Sequence, residues 1–241
     1  MGIKNLTSFL KTEAPNSFRE IHLKELSGKK AAIDVSIWMY RFKYKSNKLL
    51  PKFLEQINRL RINGIVPIYI FDGIPSEEKK QTIINRKNKK IEYKERIEKL
   101  SSELHQVNDE SQINNIKENI NKLESKLISI TKEDIINVKN FFDTMKIKYL
   151  QAQGEADFLC SKLCSMGIVD FVISEDMDLL TSGTKLLLRD FNIYNNKATL
   201  YDLTVILQSL DITYDKWVEL CILFGCDYLK RINKFGPKKS F

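Results

Sequence analysis

The sequence predicts an α/β fold: a mostly parallel central sheet flanked by helices. Three short apolar runs carry that prediction. Ala31-Ala32-Ile33 ends at Asp34, Ile65 to Phe71 ends at Asp72, and Phe171-Val172-Ile173 leads into Ser174, Glu175 and Asp176. Apolar runs without alternation suit strands buried on both faces. Helical patterns separate them, from roughly Ser36 to Asn63 and from Glu155 to Met166, and that alternation reads as α/β. In open sheets of this class the ligand site forms beyond the carboxyl ends of the strands. Three strands that each deliver an aspartate there would gather acid in one place. An aspartate after a strand is also a common N-cap of the next helix.

The stretch from about Ser76 to Lys132 differs from its surroundings, with no Gly or Pro and a high density of Lys, Glu, Asn and Gln. Apolar residues fall at Tyr93, Ile97, Leu100, Leu104 and Val107, and resume after Asn108-Asp109-Glu110-Ser111 at Ile113, Ile116, Ile120, Leu123, Leu127 and Ile130. Two heptad stretches around a polar break predict an antiparallel helical hairpin standing off the main body, its seam buried in itself. A solvated decoration or partner-binding arm would show the same pattern.

A chain of 241 residues holds one sizeable core, and is read as a single domain, 1–241, carrying the insertion at about 76–132. Hydrophobic residues at 43%, with only 9 Gly and 5 Pro, exclude collagen-like and wholly disordered chains. No apolar run is long enough to span a bilayer, and Met1-Gly2-Ile3-Lys4-Asn5 lacks the apolar core of a secretory signal. Cys160, Cys164, Cys221 and Cys226 have neither zinc-site nor disulfide spacing, which favours a reducing, intracellular compartment. The net charge of +8 favours a polyanionic partner. His22 and His105 are the whole supply of imidazoles, so any chemistry falls to carboxylates.

Those carboxylates stand at the ends of elements. Beside Asp34 and Asp72 are Glu155 and Asp157 at the start of a helical stretch, Asp176 and Asp178 after the third strand, and Asp227 after the apolar helix Trp217–Phe224. Helix N-termini favour negative charge, but seven converging carboxylates repel one another and raise each other's pKa values. A cluster that stays ionised needs cations, and Mg²⁺ or Mn²⁺ prefer oxygen ligands. Two such ions side by side are a recurrent solution for phosphodiester hydrolysis. Lys79 and Arg86, seven residues apart, share a helix face and could grip the phosphate being cut. A solvated basic face is the plainer reading of that spacing.

Taken together, these segments resemble the flap endonuclease/XPG-type 5′ nucleases along nearly the whole chain. The matching pieces are Met1-Gly2-Ile3, Ala32-Ile33-Asp34 through Tyr40, Phe71-Asp72-Gly73, Gly154-Glu155-Ala156-Asp157, Glu175-Asp176-Met177-Asp178-Leu179-Leu180 and Gly225-Cys226-Asp227-Tyr228-Leu229. The resemblance implies a PIN-like 5′ nuclease fold. It also implies one metal ion at Asp34, Asp72, Glu155 and Asp157, and another at Asp176, Asp178 and Asp227. Lys79 and Arg86 match the basic pair at the base of the family's helical arch, which contacts the scissile phosphate. Tyr40 matches the residue on which the nucleotide beside the cut stacks. Gly2 matches a small residue near the substrate junction, and Gly225 a backbone contact to DNA. The hairpin becomes the arch through or under which a 5′ single strand passes.

The sequence also departs from the family. Where members often carry an additional arginine before the second strand, this chain offers Gln56 and, three residues on, Arg59. The family's Gly-Ile-Gly-Pro-type hairpin, which binds duplex backbone with a monovalent ion, reads Lys234-Phe235-Gly236-Pro237-Lys238-Lys239 here. A lysine tolerates poorly the backbone that the first glycine permits; Gly236, Lys238 and Lys239 remain candidate DNA contacts. The motif, about 228–241, stops short at Phe241, as in a piece of a longer protein or a minimal enzyme with weaker duplex grip. The sliding-clamp peptide of many members is not among these residues. The implied protein is a monomer that cuts branched or 5′-ended DNA with Mg²⁺, or Mn²⁺ in its place, does not bind membranes, and works in the nucleus if the source is a eukaryotic cell. A weak or inactive member that binds or scaffolds branched DNA is the competing reading.

Overall fold

The computed structural model describes residues 3, 5–46, 48–104, 106–107, 109–192 and 194–225. Among them seven strands form one sheet: β1 (Phe18–His22), β2 (Lys30–Asp34), β3 (Val66–Phe71), β4 (Tyr149–Gln151), β5 (Phe171–Ile173), β6 (Leu186–Asn192) and β7 (Lys197–Asp202), in the order β1-β7-β6-β5-β2-β3-β4. The five strands from β6 to β4 are parallel, and β7 runs antiparallel to both β6 and β1. From β2 the chain winds outward to β3 and β4, then returns to lay β5 and β6 on the opposite side of β2. The winding therefore reverses between β2 and β5, the point at which doubly wound sheets open a crevice.

The period of two along a strand divides the sheet's side chains between two cores. Ala32, Ile70, Val172 and Leu187 face a core with α1 (Leu6–Glu13), α7 (Ala156–Ser165), α8 (Asp178–Thr181), α9 (Leu203–Leu210) and α10 (Tyr214–Phe224). Ala31, Ile33, Tyr69, Phe71, Phe171, Ile173 and Leu188 face the other, with α2 (Val35–Ser46), α3 (Leu49–Ile62) and α6 (Lys132–Thr144). Burial on both faces is why β2, β3 and β5 read as unbroken apolar runs.

The single helical stretch from Ser36 to Asn63 is two helices, α2 and α3. Pro51 lies in the first turn of α3; it has no N–H to donate and its ring crowds the carbonyl four residues back, so a helix can begin there but not pass through. The hairpin consists of α4 (Lys80–Leu104) and α5 (Glu110–Leu127) packed together. Asp109 in the polar break caps α5, accepting from Ser111 N at 3.1 Å. The seam residues are half-buried, with Leu123 buried. Ile130 does not continue the seam: it lies past the end of α5 and packs on the core of α2, α3 and α6. Among the described residues no helix is long and apolar enough to cross a membrane.

Candidate active site

The carboxyl ends of β2, β3 and β5 meet the amino ends of α7 and α8 around a cavity of about 580 Å³. Six of the seven acids singled out in the sequence line it: Asp34, Asp72, Glu155, Asp157, Asp176 and Asp178. Asp227 lies outside the described residues, as do Gly2, Gly236, Lys238, Lys239 and the 228–241 motif.

Backbone N–H groups orient four of these acids. Asp34 Oδ1 accepts from Ser36 N at 2.8 Å, Asp72 Oδ1 from Ala156 N at 2.8 Å, and Asp176 Oδ1 from Asp178 N at 3.0 Å. Asp178 Oδ1 accepts from Ile3 N at 2.8 Å, which draws the N-terminal segment to the cavity. The capping role and the acid cluster are thus not alternatives, since a carboxylate held by one oxygen is also aimed. Ser36 Oγ donates to Asp72 Oδ2. The exits of β3 and β4 are zipped together, Ile74 N donating to Gln153 O at 3.0 Å. That approach requires Gly73: a Cβ there would stand 2.2 Å from Ala152 O and 2.4 Å from Gln153 O.

Crowding shows in the titration of the buried members. Asp34, 4% exposed, is pushed well above the usual carboxylate range by burial and by the charges of Asp157 and Asp72. Asp157 is pushed up to about 7, first by burial and then by Asp176 and Asp72. Its Oδ1 is buried with no hydrogen-bond partner among the described residues. An all-oxygen donor set, mutual repulsion and an unmatched buried carboxylate oxygen fit a hard divalent cation. Among the described residues no three His, Cys, Asp or Glu side chains converge closely enough to hold an ion as they stand.

Lys79 and Arg86 both line the cavity. Lys79 sits in the 3-10 turn Glu77–Lys79 that precedes α4, so the pair is not on one continuous helix face. Lys79 Nζ is ion-paired with Glu155 Oε2. Tyr40, on the cavity side of α2 with Ser36 and Ile37, is 48% exposed; its helix buries Val35, Trp38, Met39 and Phe42 instead. Gln56 is buried, accepting from Tyr69 OH at 2.9 Å, so it is a core residue and not a substitute for a basic contact. Gly225 ends α10 with a φ of 91°, which glycine adopts without steric cost. Sequence reasoning missed Ser36, Phe158 and the α10 residues Val218, Cys221 and Ile222, all of which line the cavity. The 3- and 4-residue spacing on α10 could have signalled the last group.

Known proteins resemble this chain along nearly its whole length. The XPG N-terminal domain model matches residues 1–93 and the XPG I-region model matches residues 146–227. Flap endonuclease 1 of Encephalitozoon cuniculi is 31% identical over 261 residues, covering 100% of this chain and 71% of its own length. That of Cryptosporidium parvum is 32% identical, again over 100% of this chain but 53% of its own length. The catalytic core of Rad2 in complex with DNA substrate superposes with a TM-score of 0.70 at 27% identity, over 99% of this chain and 66% of that one. The chain belongs to the flap endonuclease/XPG family. It spans between 53% and 64% of the Cryptosporidium and Heterostelium pallidum relatives.

Proposed function

We propose that this chain is a structure-specific 5′ nuclease that hydrolyses phosphodiester bonds in branched or 5′-ended DNA, as flap endonuclease, 5′–3′ exonuclease or both, in replication, repair or recombination. The observation that carries this reading is the wall of six acids at the sheet's switch point, in a chain whose net charge is +8. A protein that only bound DNA would gain nothing from acids facing phosphates.

Asp34, Asp72, Glu155 and Asp157 would hold one Mg²⁺, or Mn²⁺, and Asp176, Asp178 and Asp227 the other. When bound, such ions acidify a water and offset charge on the leaving oxygen. The chain's own groups do the rest. Backbone donors fix the carboxylates before substrate arrives, which lowers the cost of reorganisation. Glu155 holds Lys79 at the root of the arch, where it and Arg86 bind the scissile phosphate. Tyr40 stacks on the neighbouring nucleotide, a contact indifferent to base identity. Gly2, Gly225, Gly236, Lys238 and Lys239 would touch DNA backbone, and a monovalent ion would sit at the 228–241 motif. The α4–α5 hairpin, within 76–132 of a single nuclease domain, would be the arch, and the protein would work as an intracellular monomer.

The test is a panel of end-labelled nicked, gapped, 5′-flapped and four-way DNAs incubated with and without Mg²⁺. Cleavage near the junction that needs the metal and ignores sequence is expected, with affinity falling steeply as salt rises. Binding without cleavage on every substrate would favour the scaffolding alternative.

A further inference from the structure

Phe158 follows Asp157 directly and lines the acid cavity, yet 55% of it is exposed. The rest of its helix does what an α/β helix is expected to do: Ala156, Cys160, Leu163 and Cys164 are buried in the core. Phe158 leaves that core for water, which forgoes the gain a buried phenylalanine side chain normally brings. A single exposed apolar residue is unremarkable on an outer surface. This one stands beside a carboxylate in the crevice where the strands end.

Its position in the crevice is defined by its neighbours. Glu155 is the N-cap of α7 and Phe158 lies three residues on, so the two occupy one side of the first turn. Glu155 is ion-paired to Lys79, at the root of α4. Phe158 therefore shares its side of α7 with the ion pair to Lys79, the residue that leads into α4, whereas Tyr40 enters the same cavity from α2. The crevice thus has an exposed aromatic ring on each of two separate elements, with the carboxylates of Asp34, Asp72 and Asp157 on its wall.

We propose that Phe158 is a second base-stacking residue, taking an unpaired nucleobase of the 5′ strand on the arch side of the cut. This rests on the nuclease reading above. A ring with no polar atom has nothing to offer a phosphate or a metal ion, but every nucleobase presents a π-face to it, so the contact is strong without reading sequence. With Tyr40 it grips the strand on both sides of the bond placed against the acids.

The experiment uses 5′-flap DNA carrying 2-aminopurine at successive positions around the junction, bound in Ca²⁺ so that it is not cut. Wild type should quench the fluorophore at one position in the unpaired 5′ strand. Phe158→Ala should lose that quenching and weaken flap binding by about 5- to 150-fold, the range for loss of one stacked base. Phe158→Trp should keep both. Phe158→Leu separates stacking from a merely apolar contact: the proposal expects Leu to fail like Ala. Unchanged quenching in Phe158→Ala, or full retention in Phe158→Leu, overturns it, even if Mg²⁺-dependent cleavage by wild type upholds the nuclease reading. Failure of wild type to bind flap DNA at all would overturn both. Circular dichroism and melting of each variant check that this exposed position leaves the fold intact.

Discussion

Lys90 of α4 donates from Nζ to the carbonyl of Ile128 at 2.8 Å and to that of Leu127 at 3.4 Å. Those carbonyls lie at the carboxyl end of α5, where a helix leaves acceptors unmet and carries partial negative charge. One turn before Lys90 on the same helix stands Arg86, on the cavity; one turn after it, Tyr93 lies under Lys126 Nζ at 5.2 Å from the ring centroid. Of the basic residues Arg86, Lys87, Lys89 and Lys90 that follow Lys79, one is thus spent on closing the α4–α5 hairpin. Lys90→Met should speed amide exchange at the end of α5 and destabilise the hairpin by about 1 kcal/mol. The salt dependence of DNA binding should stay as in wild type, since the account gives this ammonium no phosphate. Exchange at wild-type rates would remove Lys90 from that role.

Gly73 is constrained by space. A Cβ at this position would meet Ala152 O at 2.2 Å, and Gly73 N donates to Gly154 O at 2.6 Å. The neighbouring backbone can only yield by breaking that pairing and moving Asp72. Gly73→Ala should cost about 1–3 kcal/mol in urea unfolding and lower divalent-ion affinity with it. An unchanged midpoint would show that the two loop exits can separate freely.

Asp134 ties the start of α6 to α2. Its Oδ2 accepts from Thr131 N at 2.7 Å, as part of the box that caps α6, and from Lys43 Nζ of α2 at 2.5 Å. Burial alone would raise its pKa, but the bonds from Lys43 and Thr131 outweigh burial and leave the group below its ordinary value of 3.8. A carboxyl depressed by folding stabilises the fold above its unfolded pKa, and that contribution fades as pH falls through the folded value. Asp134→Ala should therefore cost about 1 kcal/mol or more near neutrality, with the gap to wild type shrinking below about pH 4. Thermal melts of both proteins across that range measure it. A gap independent of pH would mean that the lost contact is packing, not charge.

Much of this was legible in the sequence because burial on two faces leaves a mark. β2, β3 and β5 showed as apolar runs ending in acid, and the seam of the hairpin showed as heptads, since both patterns follow from what must avoid water. β1 and β7 left no such mark: at the antiparallel end of the sheet β1 buries only Ile21, and β7 only Ala198 and Tyr201, among charged residues such as Arg19, Glu20 and Lys197. β4, at the other edge, is only three residues long. The break at Pro51 was legible in principle, because one residue suffices to end a helix. Which acids would share a cavity followed from the ends of strands, but the aim of each carboxylate did not. It depends on backbone donors as far away as Ile3 for Asp178 and Ala156 for Asp72. Lys90 and Phe158 were illegible for a related reason: a lysine in a basic run and an aromatic beside an acid acquire meaning only from what stands opposite.

The central claim is that the acids at the switch point hold the ions that cut DNA, and Asp176→Ala tests it most directly. Cleavage of a labelled 5′-flap in Mg²⁺ is measured for variant and wild type, with binding of the same DNA measured in Ca²⁺. Cleavage should fall by at least about a hundredfold, the order seen when transition-state charge stabilisation is removed, with binding retained. Cleavage at the wild-type rate would contradict it.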